Sequence, residues 1–120
     1  MNVLDLSLKY HWYDEIEAGR KPEEYRDTTD YYINRLMYRK DIERERKFRE
    51  FAGMEQLTLR EFVRWFAKHY DAIRFHRGQG GRKTMLLEFE GLAVGKGNPE
   101  WGAPTDREVF IIKLGKQINE

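Results

Sequence analysis

Gly19-Arg20-Lys21-Pro22-Glu23-Glu24-Tyr25-Arg26 is the stretch whose reading decides the fold. Gly19 stands where a helix-ending glycine belongs, because Trp12 and Ile16 before it lie one helical turn apart on one face. Pro22 has no N–H to donate to a ladder, so it belongs at the first position of a strand or on an edge. The segment therefore reads as a loop that leaves a helix and enters a strand. Period-two alternation sets Glu24 and Arg26 on one strand face, with Lys21 in the turn before it. A cation, an anion and a second cation so close together can converge on one polar patch. Such a patch grips a phosphate through Lys21 and Arg26 while Glu24 orients them or accepts from a base edge. It also suits acid–base chemistry, because a carboxylate and a lysine tune each other's proton affinity. The plain structural alternative is an ion pair that only holds the loop.

Outward from this loop the chain alternates between two periods. Residues 3–9 read as a short strand carrying Val3, Leu4, Leu6 and Leu8. Asp27-Thr28-Thr29-Asp30 reads as a helix start, with a hydroxyl cap and an acid in the first turn. The stretch from Arg39 to Glu50 is dense in charge and reads either as an exposed helix with i,i+4 pairs or as a connector. Thr58-Leu59-Arg60-Glu61 matches the capping box. Leu59, Phe62, Val63, Phe66 and Tyr70 then trace one apolar stripe of a helix. Ile73 and Phe75 alternate with Arg74 and His76, as do Met85, Leu87 and Phe89 with their neighbours, giving two strands around the turn at Gly78 to Gly81. Gly91 to Pro104 reads as a glycine-rich loop around Trp101, and Val109 to Leu114 as a strand covered on both faces. The order is strand, helix, strand, helices, then at least three strands. This predicts one α+β domain built on a small mixed β-barrel with flanking helices.

Composition narrows the function classes. A chain of 120 residues suits one domain. Lys and Arg number 22 against 21 Asp and Glu, so bulk charge favours no polyanionic partner and any phosphate-binding surface must come from local segregation. The absence of cysteine excludes disulfides, thiolate zinc sites and cysteine nucleophiles, and agrees with a reducing cytoplasm. No signal peptide or membrane-spanning stretch is expected. His11, His69 and His76 are scattered without ligand spacing, so neither a metal nor a cofactor is expected.

Gly19, Lys21, Glu24 and Arg26 fit the pattern G-x-K-x-x-E-x-R, and in this the chain resembles the ASCH domain family of the PUA-like superfamily. Further pieces resemble a bacterial and phage branch of that family: Tyr32 with Arg35-Leu36, Tyr70 to Phe75, Thr84 to Gly91, and Gly97 to Pro104. The charged stretch at about 39–68 lies outside the resemblance and looks like an insertion, one that offers a docking surface for a protein partner. The resemblance implies a PUA-like barrel with a cleft lined by the signature loop, and RNA or a nucleoside as partner. A bacterial subgroup similar in fold hydrolyses acetylated cytidine with a lysine, a threonine and a glutamate. Its lysine corresponds to Lys21, while its threonine position holds Glu24 here.

Lys21, Glu24, Arg26, Tyr32, Arg35, Arg74, His76 and Trp101 are thus the candidate ligand-binding residues, with Lys21 and Glu24 as the acid–base pair if the protein is an enzyme. Arg74 and His76 share a strand face near Arg77, Arg82 and Lys83, and would extend a basic track, with Tyr31, Tyr32 or Trp101 as stacking surfaces. An ordinary solvated strand face is the alternative. Gly78 to Thr84 is not a nucleotide loop: Arg82 precedes Lys83, and a strand rather than a helix follows. Trp101, between glycines and prolines, reads either as a cleft wall or as a plug for the barrel end.

Overall fold

A computed structural model describes residues 1–119. The chain runs β1 (Val3–Leu8), α1 (Tyr10–Glu17), β2 (Glu23–Arg26), α2 (Asp30–Leu36), α3 (Arg39–Phe51), α4 (Leu59–Phe66), β3 (Ala72–Arg77), β4 (Thr84–Gly95), a 3-10 turn (Pro99–Trp101) and β5 (Val109–Ile118). The five strands form one sheet in the order β1-β3-β4-β5-β2, with β1 parallel to β3 and the remaining pairs antiparallel. The sheet curls into a half-barrel accompanied by four helices, an α+β architecture.

Alternation explains which face is inside. Leu4, Leu6 and Leu8 of β1 are buried while Asp5 and Ser7 are exposed. Ile73 and Phe75 of β3, Met85 and Leu87 of β4, and Phe110 and Ile112 of β5 continue that core, and Tyr13, Ile16 and Phe62 close it from α1 and α4. Each large apolar side chain so buried contributes about 1.5–3 kcal/mol of transfer free energy.

The outer strands of the sheet, β1 and β2, are not paired with each other. Side chains take the place of a ladder there. Arg26 donates to the Ser7 carbonyl at 2.8 Å, and Arg35 of α2 donates to the Asp5 carbonyl at 3.1 Å. Two edge carbonyls that would otherwise need water or another strand are thereby satisfied.

The charged stretch is a helix. α3 buries only Ile42 and carries the pairs Arg39–Glu43, Arg44–Asp41 and Arg49–Glu45 at 2.9–3.3 Å. The capping box at Thr58 and Glu61 opens α4 as expected. Two boundaries differ from the sequence reading. α4 stops at Phe66, because Ala67 turns extended and bridges to Met37, so Tyr70 lies beyond the helix and donates to the Arg35 carbonyl at 2.6 Å. The expected loop from Gly91 begins only after Gly95, since β4 continues through Leu92, Ala93 and Val94. Register shifts against β5 between Leu87 and Gly91 let one long strand change face, so glycine here marks an irregularity within the strand rather than its end. Among the described residues no helix is long and apolar enough to cross a membrane.

Candidate functional site

The loop from Gly19 to Arg26 delivers three charged side chains to one place. Gly19 takes φ +79 after α1, a conformation that favours glycine, and its N–H returns to the Ile16 carbonyl at 3.0 Å. Pro22 sits just outside the edge strand β2, and its carbonyl accepts from the Leu114 N–H at 3.0 Å. Between these two anchors Lys21 turns inward and is only 3% exposed. Glu24 is 6% exposed, so a lysine and a glutamate are buried side by side.

The geometry is a row of charges. Lys21 Nζ lies 3.4 Å from Glu24 Oε1. Arg26 Nε donates to Glu24 Oε2 at 2.9 Å, with Nη2 2.7 Å from the same oxygen. Arg26 Nη1 donates to the Tyr32 hydroxyl at 2.7 Å. Lys21 Nζ donates to the Trp101 carbonyl and lies 4.6 Å from the Tyr25 ring centroid and 5.0 Å from that of Trp12. One carboxylate therefore faces two cations, and the row carries one positive charge in excess.

Burial lowers the Lys21 pKa, against the opposing pull of Glu24. Burial also acts to lower that of Arg26, but Glu24 and the Tyr32 hydroxyl outweigh it and hold the guanidinium charged. The Tyr25 hydroxyl is pushed up, first by burial and then by Glu23, to which it donates at 2.7 Å. It accepts from the Asn98 N–H at 3.1 Å, tying β2 to the loop that carries Trp101.

This row lines a cavity of about 450 Å³. Trp12 and Tyr25 supply aromatic walls, Trp101 also lines the cavity, and Ser7, Lys9 and Asp27 supply polar groups. Gly102, at φ +94, lets the loop pass close to Trp12: a Cβ there would lie 2.7 Å from the indole.

The candidate residues divide into two groups. Lys21, Glu24, Arg26 and Trp101 meet in the cleft, where Trp101 is a lining residue whose carbonyl accepts from Lys21. Tyr32 stands behind them through its bond to Arg26. Arg35, Arg74 and His76 gather instead around Asp5 on the outer face of β1. Arg35 bonds its carbonyl, His76 Nε2 lies 2.8 Å from its carboxylate, and Arg74 lies 3.9 Å from it. Arg77 pairs with Asp14 and Lys83 with Glu17. The basic track read from β3 and its turn is thus largely neutralised by acids of β1 and α1.

Sequence reading missed Trp12, Tyr25, Ser7 and Lys9 as cleft residues. Trp12 shares a helix face with the buried Ile16 but stays half-exposed, because that face points partly at the loop that carries Lys21. Tyr25 gives no signal by alternation; it enters because Lys21 folds over its ring. Ser7 announces only that it points outward from β1, and the curl of the sheet decides what it meets.

No protein-family profile, no curated protein and no solved structure matches the chain.

Proposed function

We propose that this protein is an RNA- or nucleoside-binding domain of the PUA-like, ASCH type, with its ligand in the cleft of Lys21, Glu24 and Arg26. The observation that carries the reading is the pairing of a buried, net-cationic row with aromatic walls in one cavity of about 450 Å³. Aromatic rings suit a planar base, and a buried cation suits a carbonyl or phosphate oxygen. Glu24 supplies the acceptor for a base-edge N–H while keeping Lys21 and Arg26 in place.

Titration of uridine and of short single-stranded RNA tests this. Saturable binding is expected, weakened roughly 10- to 100-fold by Lys21→Met, the range set by a hydrogen bond to a charged group. Absence of binding by the wild type at low salt, where electrostatic contacts are strongest, would sink the reading.

A second reading, hydrolysis of RNA or of a modified nucleoside, is favoured by one observation. Lys21 is a lysine of lowered proton affinity 3.4 Å from a carboxylate in a site shielded from water. Incubation with single-stranded RNA and with acetylated cytidine decides it. Product from the wild type but not from Lys21→Ala supports an enzyme; binding without product removes it.

A further inference from the structure

The Lys21 cleft does not stop at its own walls. Ser7, Leu8 and Lys9, at the end of β1, line it from one side. The same three residues line a second cavity of about 480 Å³, completed by Tyr10, Gly78 and Gln79. The two cavities therefore share one ridge.

Tyr10 is the unusual residue beyond that ridge. It opens α1 and remains 61% exposed. Exposed rings are ordinarily free to swing, but this one is held. The Arg77 guanidinium covers it at 4.3 Å from the ring centroid. Arg77 is itself fixed by two bonds to Asp14, Nε to Oδ1 at 2.9 Å and Nη2 to Oδ2 at 3.0 Å. Gly78, at φ +78, comes so close that a Cβ would lie 2.5 Å from a Tyr10 ring carbon. A ring that is positioned by two neighbours yet left open to solvent costs little further ordering when a planar group stacks on it. Lys9, on the ridge, is exposed and has no ion pair among the described residues, whereas Arg77, His76 and Lys83 each face a carboxylate.

We propose that the second cavity is a subsite for the nucleotide next to the one held in the Lys21 cleft, with its base stacked on Tyr10 and the intervening phosphate at Lys9. The ligand class is then single-stranded RNA of at least two nucleotides rather than a free nucleoside. This rests on the cleft reading above. Stacking of this kind tolerates any base, so Tyr10 contributes affinity and strand polarity rather than sequence preference.

The experiment compares uridine with a fluorescein-labelled single-stranded hexauridylate on wild type, Tyr10→Ala, Tyr10→Phe and Lys21→Met. Tyr10→Ala is expected to weaken the hexamer roughly tenfold and to leave uridine unchanged, and Tyr10→Phe to restore the hexamer. Unchanged uridine binding doubles as the proof that the variant is folded. An equal loss for both ligands, or none for the hexamer, overturns the subsite while the cleft reading stands on its own uridine data. A hexamer sensitive to Tyr10→Ala but indifferent to Lys21→Met leaves Tyr10 stacking a base with no neighbour in the cleft, and overturns both the subsite and the cleft reading. Equal affinity for a blunt RNA duplex, which hides its base faces, overturns the subsite, and no hexamer binding at low salt overturns both.

Discussion

Glu24 stands 3.4 Å from the Lys21 ammonium with one oxygen, and this leaves the other oxygen for Arg26 at 2.7 Å. A single buried carboxylate thus compensates two cations. Removing it strands both. Glu24→Ala is expected to cost about 3–5 kcal/mol of unfolding free energy, the range for breaking a buried pair from one side. Lys21→Met, which leaves Glu24 still paired with Arg26, is expected to cost less. Urea unfolding of the two variants checks the order; a Glu24→Ala loss below about 1 kcal/mol would show that the row is solvated.

The Lys21 ammonium also sets a pH dependence. Its folded pKa lies below the ordinary 10.5, so between the lowered value and 10.5 the unfolded chain holds a proton that the folded one has released. In that window stability rises with pH. Tyr25 acts in the opposite sense: its folded pKa lies above the ordinary 10.0, so the folded state retains a proton the unfolded one loses, and stability falls above about pH 10. The difference in unfolding free energy between wild type and Lys21→Met, followed from neutral to alkaline pH, should move in favour of wild type on approaching pH 10.5. A difference that stays flat contradicts the lowered pKa.

Arg26 is a test of geometry rather than charge. Its guanidinium reaches Glu24, the Tyr32 hydroxyl and the Ser7 carbonyl at once. An ammonium cannot present that fork. Arg26→Lys is expected to cost roughly 1.5–3 kcal/mol although it keeps the charge. A thermal midpoint equal to wild type would show that charge alone suffices.

Gly102 bears on the cleft wall. Its φ of +94 is strained for any L side chain, and the added Cβ of Gly102→Ala would press on Trp12. A stability loss of about 1–3 kcal/mol is expected, together with weaker uridine binding as Trp12 is displaced. Wild-type affinity in this variant would show that Trp12 does not shape the site.

Much of this arrangement is written locally. The capping box at Thr58 and the alternation in β1 and β3 each act within a few residues, and the structure places both where the pattern indicates. Turn and strand geometry bring Lys21, Glu24 and Arg26 close in space, while the Trp101 carbonyl, the Tyr32 hydroxyl and the Ser7 carbonyl fix the two cations from farther along the chain. What was not legible is non-local. Asp5, Asp14 and Glu17 face His76, Arg77 and Lys83 from over 60 positions away, a pairing that no local pattern carries. The continuation of β4 past Gly91 depends on its partner β5, and the early end of α4 on a bridge to Met37.

The two guanidiniums on the carbonyls of Ser7 and Asp5 carry a consequence for solubility. β1 is an outer strand whose unpaired edge invites capture by another chain. Arg26 and Arg35 occupy that edge, and Arg26 is also the terminal charge of the cleft row. The proposed binding chemistry and resistance to aggregation therefore depend on the same side chain. A mutation that retunes the cleft by losing Arg26 also opens a strand edge, so the loss should be visible as self-association in concentrated solution even before any ligand is added.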